Sequence, residues 1–517
     1  MNINQKIELN DEFRLALGLL ENTNEHIFLT GKAGTGKSTL LELFRRDTKK
    51  NIVVLAPTGV AAVNVSGQTI HSFFGFKPDI TLAKVKKSRK EYLGLFERLE
   101  TLIIDEVSMV RADLLDCVDK ALKKNRGRKE PFGGVQMVFI GDLYQLPPVV
   151  TSAERELFRT HYKSPYFFDA ASIKKIGMRY IELMKVYRQH DSGFVNLLNA
   201  IRNNTVTSGQ LRTLNSRVIE FADEDLLKDH VLLTSRNAAA ESMNLKYLSR
   251  LEGEPSVFAA SSSGEFKREY YPAEHSLQLK AGARVMLLNN DRGGRWVNGT
   301  IAEVRGVEQD DNGTEVVYVE LPDGSVEAVY RNKWELFRFK LNEKGTRIES
   351  EAVGEFTQYP LKLAWAMTIH KSQGKTFEKV VIDASGGIFA HGQVYVALSR
   401  CTSFEGMRLT VPLEKKHILL DWRDVKFITN YQYGLSEDAM PEEEKLRIIN
   451  EVITSGGKIK IKYLKANGEK TCRVVSPSFA GEMSFKDKKF LGFIGHCSER
   501  KEKRTFRVDR ILEMEVI

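Results

Sequence analysis

The amino-acid sequence predicts an α/β protein built on parallel β-sheets, with two to four domains. Over the first 185 residues, short runs of β-branched side chains alternate with amphipathic stretches, which is typical of sheets covered by helices. Nearly every run ends in a polar or glycine-rich turn, and ligands bind at such strand ends in open α/β sheets. The length of 517 residues is too great for one ordinary core.

Two α/β domains are expected to follow each other, over residues 1–185 and 186–432. The strand candidates of the first are Ile27–Thr30, Ile52–Ala56, Thr101–Asp105, Met137–Gly141 and Tyr180–Leu183. Those of the second are Val231–Thr234, Ala283–Leu288, Leu361–Ala364 and Lys379–Asp383. At about residues 289–356, turns rich in glycine, aspartate and asparagine separate alternating strands, which predicts a small β insertion in the second domain.

The acidic, proline-bearing stretch 433–444 is interpreted as a linker. A separate small β domain is predicted over residues 445–517, with a short helix and the strands Lys458–Tyr463, Thr471–Val475, Phe490–Gly495 and Thr505–Val508. The last 67 residues contain 15 lysines and arginines against 9 acidic residues, and this excess of +6 is most of the net charge of +9. Such a basic surface favours a polyanionic partner and salt-sensitive binding.

Composition excludes several classes of protein. Hydrophobic residues at 42% and charged residues at 28% describe a soluble globular chain rather than a disordered one. No apolar run approaches the roughly 18 residues that span a bilayer, and Met1–Asn10 lacks the features of a signal peptide, so the cytosol is expected. The four cysteines form no close-spaced pair, so neither a zinc cluster nor a disulfide framework is predicted.

A phosphate-binding loop is predicted after the first strand. The pattern G-x-x-x-x-G-K-[ST] runs from Gly31 to Ser38, between a strand and a helix. Backbone N–H groups of such a loop wrap phosphates, Lys37 reaches the terminal phosphates, and Ser38 is a ligand of Mg²⁺. The candidate residues for ATP are Gly31, Ala33, Gly34, Thr35, Gly36, Lys37, Ser38 and Thr39.

Acidic and amide side chains follow two later strands. Asp105 and Glu106 end the run TLII, where Asp105 would hold the hydrated Mg²⁺ and Glu106 would orient and deprotonate the attacking water. Gln145 follows the strand that ends in FIGD, where a polar side chain can sense the γ-phosphate. These residues extend the predicted site from nucleotide binding to hydrolysis.

Seven motifs occur in the order seen in superfamily-one helicases. They are GKAGTGKST, APTGVAAVNVSGQTIHSFF, IIDEVSM, GDLYQLPPV, VYRQ, AMTIHKSQGKTF and VALSRC. Together they resemble the Pif-type helicases, relatives of RecD, over residues 1 to about 430. The resemblance implies two RecA-like P-loop motor domains with ATP between them, a small β-barrel insertion in the second, and Arg188, Gly374 and Arg400 at the nucleotide.

The resemblance also implies a set of contacts to single-stranded DNA. In the first domain they are Pro57, Thr58, Gly59, Thr69, His71 and Phe73, and in the second Thr368, His370, Lys371, Ser372 and Gln373. Hydroxyl, amide and backbone N–H groups suit a motor that holds phosphates without reading bases. For the two histidines packing in the core is the alternative, and Phe73 is as well explained by packing as by base stacking.

Two further segments have a positional interpretation. Basic residues at about 76–98 (Lys84, Lys86, Lys87, Arg89 and Lys90) resemble the wedge element that splits the duplex, or else form a solvated helix face. Many relatives carry an adenine-reading glutamine where this chain has Phe13. Packing of Phe13 against the base is one way to replace that glutamine, and a strict preference for ATP stays open.

The C-terminal stretch resembles the WYL domain, a small β-barrel with a basic ligand pocket. The eponymous Trp-Tyr-Leu reads Lys489-Phe490-Leu491 here, so the match is partial. Candidates for an anionic ligand or a single strand are Tyr463, Arg473, Arg504, Arg507 and Arg510. The alternative is a structural domain whose arginines form surface ion pairs.

The resulting hypothesis is a monomeric DNA helicase that uses ATP and Mg²⁺, moves 5′-to-3′ on single-stranded DNA and opens tailed or forked duplexes. G-quadruplexes and RNA–DNA hybrids stay open as substrates. Two alternatives use the same motor motifs. One is a nucleic-acid-stimulated ATPase that remodels protein–DNA or RNA–DNA complexes, and the other an ATPase gated by a nucleotide ligand of the WYL-like domain.

Overall fold

The computed structural model describes residues 10–517, except 151–153, 155–157, 159, 190, 220–225, 292, 311–312, 389, 467, 469 and 486–487. Nine of the ten N-terminal residues considered for a signal peptide therefore lie outside the described residues. The chain divides into two compact units. The larger unit contains residues 1–202 and 206–419, and the C-terminal unit contains residues 203–205 and 420–517.

The first half of the larger unit is built on a parallel six-stranded sheet in the order β3-β2-β4-β5-β1-β6. The strands are β1 (His26–Gly31), β2 (Ile52–Ala56), β3 (Gln68–Thr69), β4 (Thr101–Ile104), β5 (Gln136–Ile140) and β6 (Met178–Leu183). The helices are α1 (Asp11–Asn22), α2 (Lys37–Asp47), α3 (Gly59–Asn64), α4 (Ile70–Phe74), α5 (Lys90–Arg98) and α6 (Ala112–Arg126). Because β4, β5 and β1 are neighbours, their carboxyl ends lie side by side at one edge.

The second half carries one parallel sheet and several antiparallel ones. Its strands are β7 (Val231–Thr234), β8 (Ser256–Ala259), β9 (Ser261–Gly264), β10 (Ser276–Leu279), β11 (Arg284–Leu287), β12 (Ile301–Gln309), β13 (Glu315–Glu320), β14 (Val326–Val329), β15 (Asn332–Leu341), β16 (Ile348–Gln358), β17 (Leu361–Leu363), β18 (Ala366–Thr368), β19 (Val380–Asp383) and β20 (Met407–Leu409). Its helices are α7 (Ser192–Arg202), α8 (Ser208–Asn215), α9 (Leu226–Asp229), α10 (Asn237–Arg250) and α11 (Gln393–Leu398). The second parallel sheet has the order β18-β7-β19-β20.

The β insertion is larger than the sequence predicts. Strands β11 and β17, expected in the second parallel sheet, instead join the antiparallel sheet β14-β13-β12-β11-β17. A three-stranded sheet, β15-β16-β9, and the pair β10-β8 complete it. The error has a physical reason: β11 is buried at all four positions, and a short apolar run has no period that separates the two kinds of sheet.

The C-terminal unit contains two helices and an antiparallel five-stranded sheet. The elements are α12 (Trp422–Ala439), α13 (Glu442–Ser455), β21 (Ile459–Leu464), β22 (Lys470–Phe485), β23 (Lys488–Cys497), β24 (Glu502–Arg507) and β25 (Ile511–Val516), with the strand order β24-β23-β22-β21-β25. In the described ranges, no helix has the length and apolar character that crossing a membrane requires.

The predicted linker is mostly helical. Residues 433–439 continue α12, and α13 begins at Glu442. Pro441 stands at the N-cap of α13, outside the helix interior, where a proline costs no hydrogen bond. Proline and acidic residues at this point indicate a helix start rather than an irregular tether, and the two compact units divide at residue 420.

Candidate nucleotide cleft and DNA-facing surface

The loop between β1 and α2 has the shape of a phosphate cradle. Gly34 and Gly36 have φ angles of 78° and 86°, in the left-handed region that favours glycine. A Cβ at Gly34 would lie 2.5 Å from the Cβ of Arg188, so a side chain there would collide. Helix α2 begins at Lys37, and its first N–H groups and positive end favour an anion at the loop.

Lys37 spans this loop and is surrounded by carboxylates. Its Nζ donates to the carbonyl oxygens of Gly31 (2.8 Å) and Lys32 (3.1 Å). Burial lowers the pKa of Lys37, and the nearby carboxylates of Asp142, Glu106 and Asp105 oppose that shift. The lysine predicted at the terminal phosphates therefore lies among the acidic residues predicted for catalysis.

The acidic pair follows β4 directly. Burial, and next the adjacent Asp105 carboxylate, raises the pKa of Glu106 to about 7, and burial also raises the pKa of Asp105. Glu106 has a φ of 50°, which is uncommon for residues other than glycine, so the backbone turn after β4 has an unusual conformation at this residue. The Ser38 hydroxyl in the first turn of α2 and the two carboxylates are oxygen donors, so the donor set fits Mg²⁺.

Gln373 lies at the acidic pair rather than on a DNA-facing surface. Its Nε2 donates to Oε2 of Glu106 at 3.1 Å and to Oε1 of Gln145 at 3.2 Å. Gln145 in turn donates to Oδ2 of Asp142 at 3.3 Å. Gln373 is half-buried, and its contact with DNA stays a prediction. The loop after β18 reaches across the cleft and joins the second half of the unit to the residues of hydrolysis.

Arg188 faces the cleft from the second half. It donates to the carbonyl oxygens of Ser399 (3.3 Å) and Gly374 (3.4 Å). Burial lowers the pKa of Arg188. Gly374 therefore lies beside Arg188, as the resemblance implies, and both lie near the phosphate loop through the close approach of Arg188 to Gly34.

Arg400 is 1% exposed and surrounded by neutral acceptors. Its Nε donates to the carbonyl of Val396 (2.9 Å), Nη1 to that of Lys375 (3.2 Å) and Nη2 to Oγ of Ser399 (2.9 Å). Burial, and next the charge of Arg188, lowers the pKa of Arg400 to about 9. Among the residues that the structure describes, neither guanidinium pairs with a carboxylate. Arg400 is buried and Arg188 half-buried, and two guanidinium groups without a carboxylate partner fit phosphate oxygens.

Three residues that the sequence does not single out complete the cleft. Arg202 pairs with Asp142, with Nη2 3.0 Å from Oδ1, and its side chain is 7% exposed against 0% for Asp142. The Tyr395 hydroxyl accepts the N–H of Ala33 at 3.2 Å. Tyr187 donates its N–H to the Gly34 carbonyl at 2.8 Å. Tyr187 belongs to the motif VYRQ and Tyr395 directly precedes the motif VALSRC, whereas Arg202 lies outside the seven motifs.

Phe13 does not offer a face to a nucleotide base. It is 2% exposed and belongs to the apolar core of the first sheet. Its ring carbon Cζ lies 3.0 Å from the position of a Cβ on Gly36, so it supports the phosphate loop from inside. The possibility that Phe13 packs against the base does not fit its burial in this structure. The ring of Tyr187, 36% exposed, is the aromatic surface beside the loop.

The first group of predicted DNA contacts divides by exposure. Thr58 is exposed at the start of α3, between the half-buried Pro57 and Gly59, and its hydroxyl accepts the N–H of Ala61. Thr69 is 5% exposed and caps α4. Phe73 packs against three aromatic rings, at centroid distances of 4.9 Å to Phe74, 5.4 Å to Phe96 and 6.3 Å to Phe339. His71 is half-buried.

In the second group, two hydroxyl side chains are buried. Ser372 is 0% exposed and donates to the carbonyl of Ile369 at 2.7 Å, and Thr368 is 4% exposed. In this structure the loop uses both hydroxyl groups to close its own turn, and their contact with DNA stays a prediction. Lys371 is exposed and His370 is half-buried, with a pKa lowered by burial.

Two lysines missed by the sequence reasoning adjoin Lys371. Burial, and next the charge of Lys362, lowers the pKa of Lys375 to about 8. Burial and the charge of Lys371 lower the pKa of Lys362. Phosphates of a strand would neutralise the like charges of these lysines, so Lys362 and Lys375 are further candidates for a DNA contact beside Lys371.

In the C-terminal unit, Tyr463 and Arg507 lie together. The Tyr463 hydroxyl accepts the N–H of Arg507 at 3.2 Å, and its ring packs edge-on against Phe506 at 5.4 Å. The guanidinium of Arg507 pairs with Asp509, with Nε 2.9 Å from Oδ1, and lies 5.0 Å from the centre of the Phe490 ring. These contacts favour a structural role for Arg507.

The other three arginines differ in their pairing. Arg504 pairs with Glu502 at 2.6 Å. Arg473 and Arg510 form no ion pair with any residue in the described part of the chain. An aromatic ring, Phe479 on β22, is 52% exposed. Unpaired arginines and exposed rings are what single-stranded nucleic acid binds, so Arg473 and Arg510 are the stronger candidates.

Comparisons with known proteins agree with these features. A family model described as PIF1-like helicase matches residues 8–212, and one described as WYL domain matches residues 444–516. The ATP-dependent DNA helicase PIF1 of Rattus norvegicus is 34% identical over 435 residues, 81% of this chain and 64% of the relative. The chain thus spans less than two thirds of that relative's length. The ATP-dependent DNA helicase Pif1 of Bdellovibrio bacteriovorus is 32% identical over 438 residues, 83% of this chain and 93% of the relative.

Solved structures show the same likeness. The crystal structure of a Bacteroides Pif1 in complex with ADP-AlF4 has a TM-score of 0.76 and 36% identity, and it covers 82% of this chain and 97% of that one. A Bacteroides Pif1 bound to single-stranded DNA has a TM-score of 0.59, with 36% identity over the same shares of the two chains. The two parallel sheets are therefore RecA-like.

Proposed function

Because the chain belongs to the family of PIF1-like helicases, we propose that it is an ATP-dependent DNA helicase that moves 5′-to-3′ along a single strand and separates the duplex. One observation carries this proposal. Lys37 and Glu106 at the edge of the first sheet share a cleft with Gln373, Arg188 and Arg400 from the second half. A cleft built from both halves can couple its closure to hydrolysis.

Each residue of the cleft has a defined part in the proposed hydrolysis. The phosphate loop and Lys37 bind the β- and γ-phosphates, and Glu106 accepts a proton from the attacking water. A pKa near 7 suits a general base at neutral pH. Ser38 and Asp105 would hold Mg²⁺, which neutralises phosphate charge when bound. Arg188 and Arg400 stabilise the charge on the transferred group.

Gln373 supplies a link between DNA and hydrolysis. It lies two residues after Lys371, which is exposed and would contact the strand, and it bonds to Glu106. A strand that pulls on this loop would shift the amide that holds Glu106 and Gln145. The proposed motor would alternate its two grips on the strand in this way. A stacking step of DNA costs on the order of 1.4 kcal/mol, so a step of one nucleotide per cycle is energetically reasonable.

The proposed partners are single-stranded DNA and tailed or forked duplexes, bound by a monomer. The cluster of Lys362, Lys371 and Lys375 supports contacts to phosphates that do not depend on sequence. The C-terminal unit would add a tethered contact through Arg473 and Arg510, which raises the local concentration of the strand. The Bacteroides Pif1 bound to single-stranded DNA supports this choice of partner.

Strand separation on short duplexes tests the proposal. The substrates carry a 5′ tail, a 3′ tail or no tail, and the Lys37→Ala variant with ATP is the control. Unwinding of the 5′-tailed duplex alone is expected. Unwinding of the 3′-tailed duplex alone would contradict the direction. If no duplex opens while single strands still stimulate hydrolysis, the helicase proposal fails, and remodelling of protein–DNA or RNA–DNA complexes replaces it.

A further inference from the structure

A cavity of about 690 Å³ lies beside the basic segment of residues 84–89. One side is formed by the end of α4 and the turn after it, and a second by the basic segment and α5. The third side is formed by Arg338 and Phe339 of β15, in the β insertion. Its volume falls in the range of about 300–1,000 Å³ typical of sites for small organic groups.

Aromatic rings line the cavity. Phe73, Phe76 and Tyr92 are half-buried and present part of their rings to it, whereas Phe96 and Phe339 are buried beneath them. Phe73 is fixed in its position by edge-on contacts to the two buried rings. A surface of rings held rigid by packing is what a nucleobase stacks on, since every base has an apolar face.

The rim of the cavity is positively charged. Lys77, Lys86 and Lys87 are exposed, and in the part of the chain that the structure describes none of them forms an ion pair. Lys84 and Arg338 are paired, with Asp79 and Glu265 respectively. Only Lys90 of the basic residues belongs to α5, so a solvated helix face does not account for the segment.

We propose that this cavity holds one unstacked nucleobase of single-stranded DNA, with its flanking phosphates on Lys77, Lys86 and Lys87. Rings alone would suit many apolar ligands, and lysines alone many anions. Their combination at one opening fits a base that carries phosphates on both sides. The inference rests on the proposed helicase function and adds to it a place where a base is held once its pair has opened. The base can come from the tail strand or from the displaced strand.

Cross-linking separates these two sources. Forked duplexes carry a single 5-iododeoxyuridine, in the 5′ tail, in the displaced 3′ flap or within the paired region, and are irradiated with the full-length protein without ATP. We expect a cross-link from one of the two single-stranded arms to the peptides that contain Phe73, Phe76 or Tyr92. The arm that reacts identifies the strand. Reaction from the paired region alone, or at other peptides alone, would overturn the proposal.

Variants test the same contact by function. Phe76→Ala is expected to lower the cross-link about tenfold at saturating DNA and to slow unwinding. The exposed double variant Lys86→Gln/Lys87→Gln should weaken fork binding about tenfold without affecting folding. Tyr330→Ala, at an exposed ring of the β insertion, is the matched control and should change neither.

Two results distinguish this inference from the proposed function. Wild-type protein that unwinds tailed duplexes but gives equal cross-links with and without Phe76 refutes the cavity and leaves the helicase standing. Wild-type protein that neither binds nor unwinds forks refutes the helicase and the cavity together. Hydrolysis stimulated by a short single strand should persist in Phe76→Ala, because the cavity is separate from the nucleotide cleft.

Discussion

Substitution of Arg202 should destabilise the larger unit, because it would leave the Asp142 carboxylate buried without its partner. The two side chains are 7% and 0% exposed, and they are joined by a charge-assisted bond of 3.0 Å. The guanidinium also lies 3.8 Å from the centre of the Tyr144 ring. Removing one partner of such a pair costs about 3–5 kcal/mol, of which up to ~2 kcal/mol belongs to the cation–π contact.

The assay is thermal melting of Arg202→Met, which keeps most of the side-chain volume. Because ΔTm per kcal/mol is about 2–4 °C at 150–250 residues and smaller in larger proteins, we expect a fall of roughly 5–10 °C. Arg305→Met, at an exposed ion pair, should change the melting temperature by less than about 2 °C. The double variant Asp142→Asn/Arg202→Met should recover part of the loss. A single variant that melts like wild type, or a double variant with a purely additive loss, would refute the reasoning.

The stability that the Asp142–Arg202 pair contributes should fall at acidic pH. Burial raises the pKa of Asp142, but the charges of Arg202 and Lys37 outweigh it and hold the pKa below its usual value. Stability from this carboxylate is therefore present above the unfolded pKa of about 3.9 and lost as the pH falls through the lower folded pKa. The difference in melting between wild type and Asp142→Asn should stay constant near neutrality and shrink only below about pH 4.

Three other predictions concern ATP hydrolysis and DNA binding. Lys37→Ala should abolish hydrolysis because the loop loses its charge at the terminal phosphates, and turnover near the wild-type rate in a phosphate-release assay would refute that assignment. Glu106→Gln should keep its affinity for a fluorescent nucleotide but hydrolyse at least ~10²-fold more slowly; unchanged kcat would remove Glu106 as the base. The double variant Arg473→Ala/Arg510→Ala should reduce the slope of log Kd against log salt on single-stranded DNA by up to about 1.4. The control Arg504→Ala removes an arginine that is paired with Glu502 and should leave the slope unchanged. Equal slopes in the wild type, the double variant and the control would exclude a DNA contact at Arg473 and Arg510.

The predicted chemistry of the nucleotide site could be read from sequence because its residues are local to strand ends. Lys37, Asp105 and Gln145 each follow a short buried strand. The order of those strands then places them at one edge of the sheet. The sequence motifs and the ends of the strands coincide at these residues, so the motifs alone are enough to propose their roles.

The rest depended on long-range contacts. Arg202 lies at the end of a helix, outside the seven motifs, and its partner Asp142 is 60 positions earlier in the chain. Gln373 belongs to a motif that the resemblance places on DNA, yet its amide crosses the cleft to Glu106. The strand β17 has the apolar character of a parallel strand but pairs antiparallel with β11. In each case the position of the residue or strand is set by a contact distant in sequence, which the local sequence does not reveal.

Several donors of the nucleotide cleft have acceptors within the protein. Lys37 donates to carbonyls of its own loop, the Ala33 N–H to the Tyr395 hydroxyl, and Arg400 to carbonyls and a serine. A nucleotide that enters must displace these internal acceptors, which lowers its net affinity. The same acceptors are available to these donors again when the product leaves. We expect these internal acceptors to speed release of the product nucleotide, because they compete with it for the same donors.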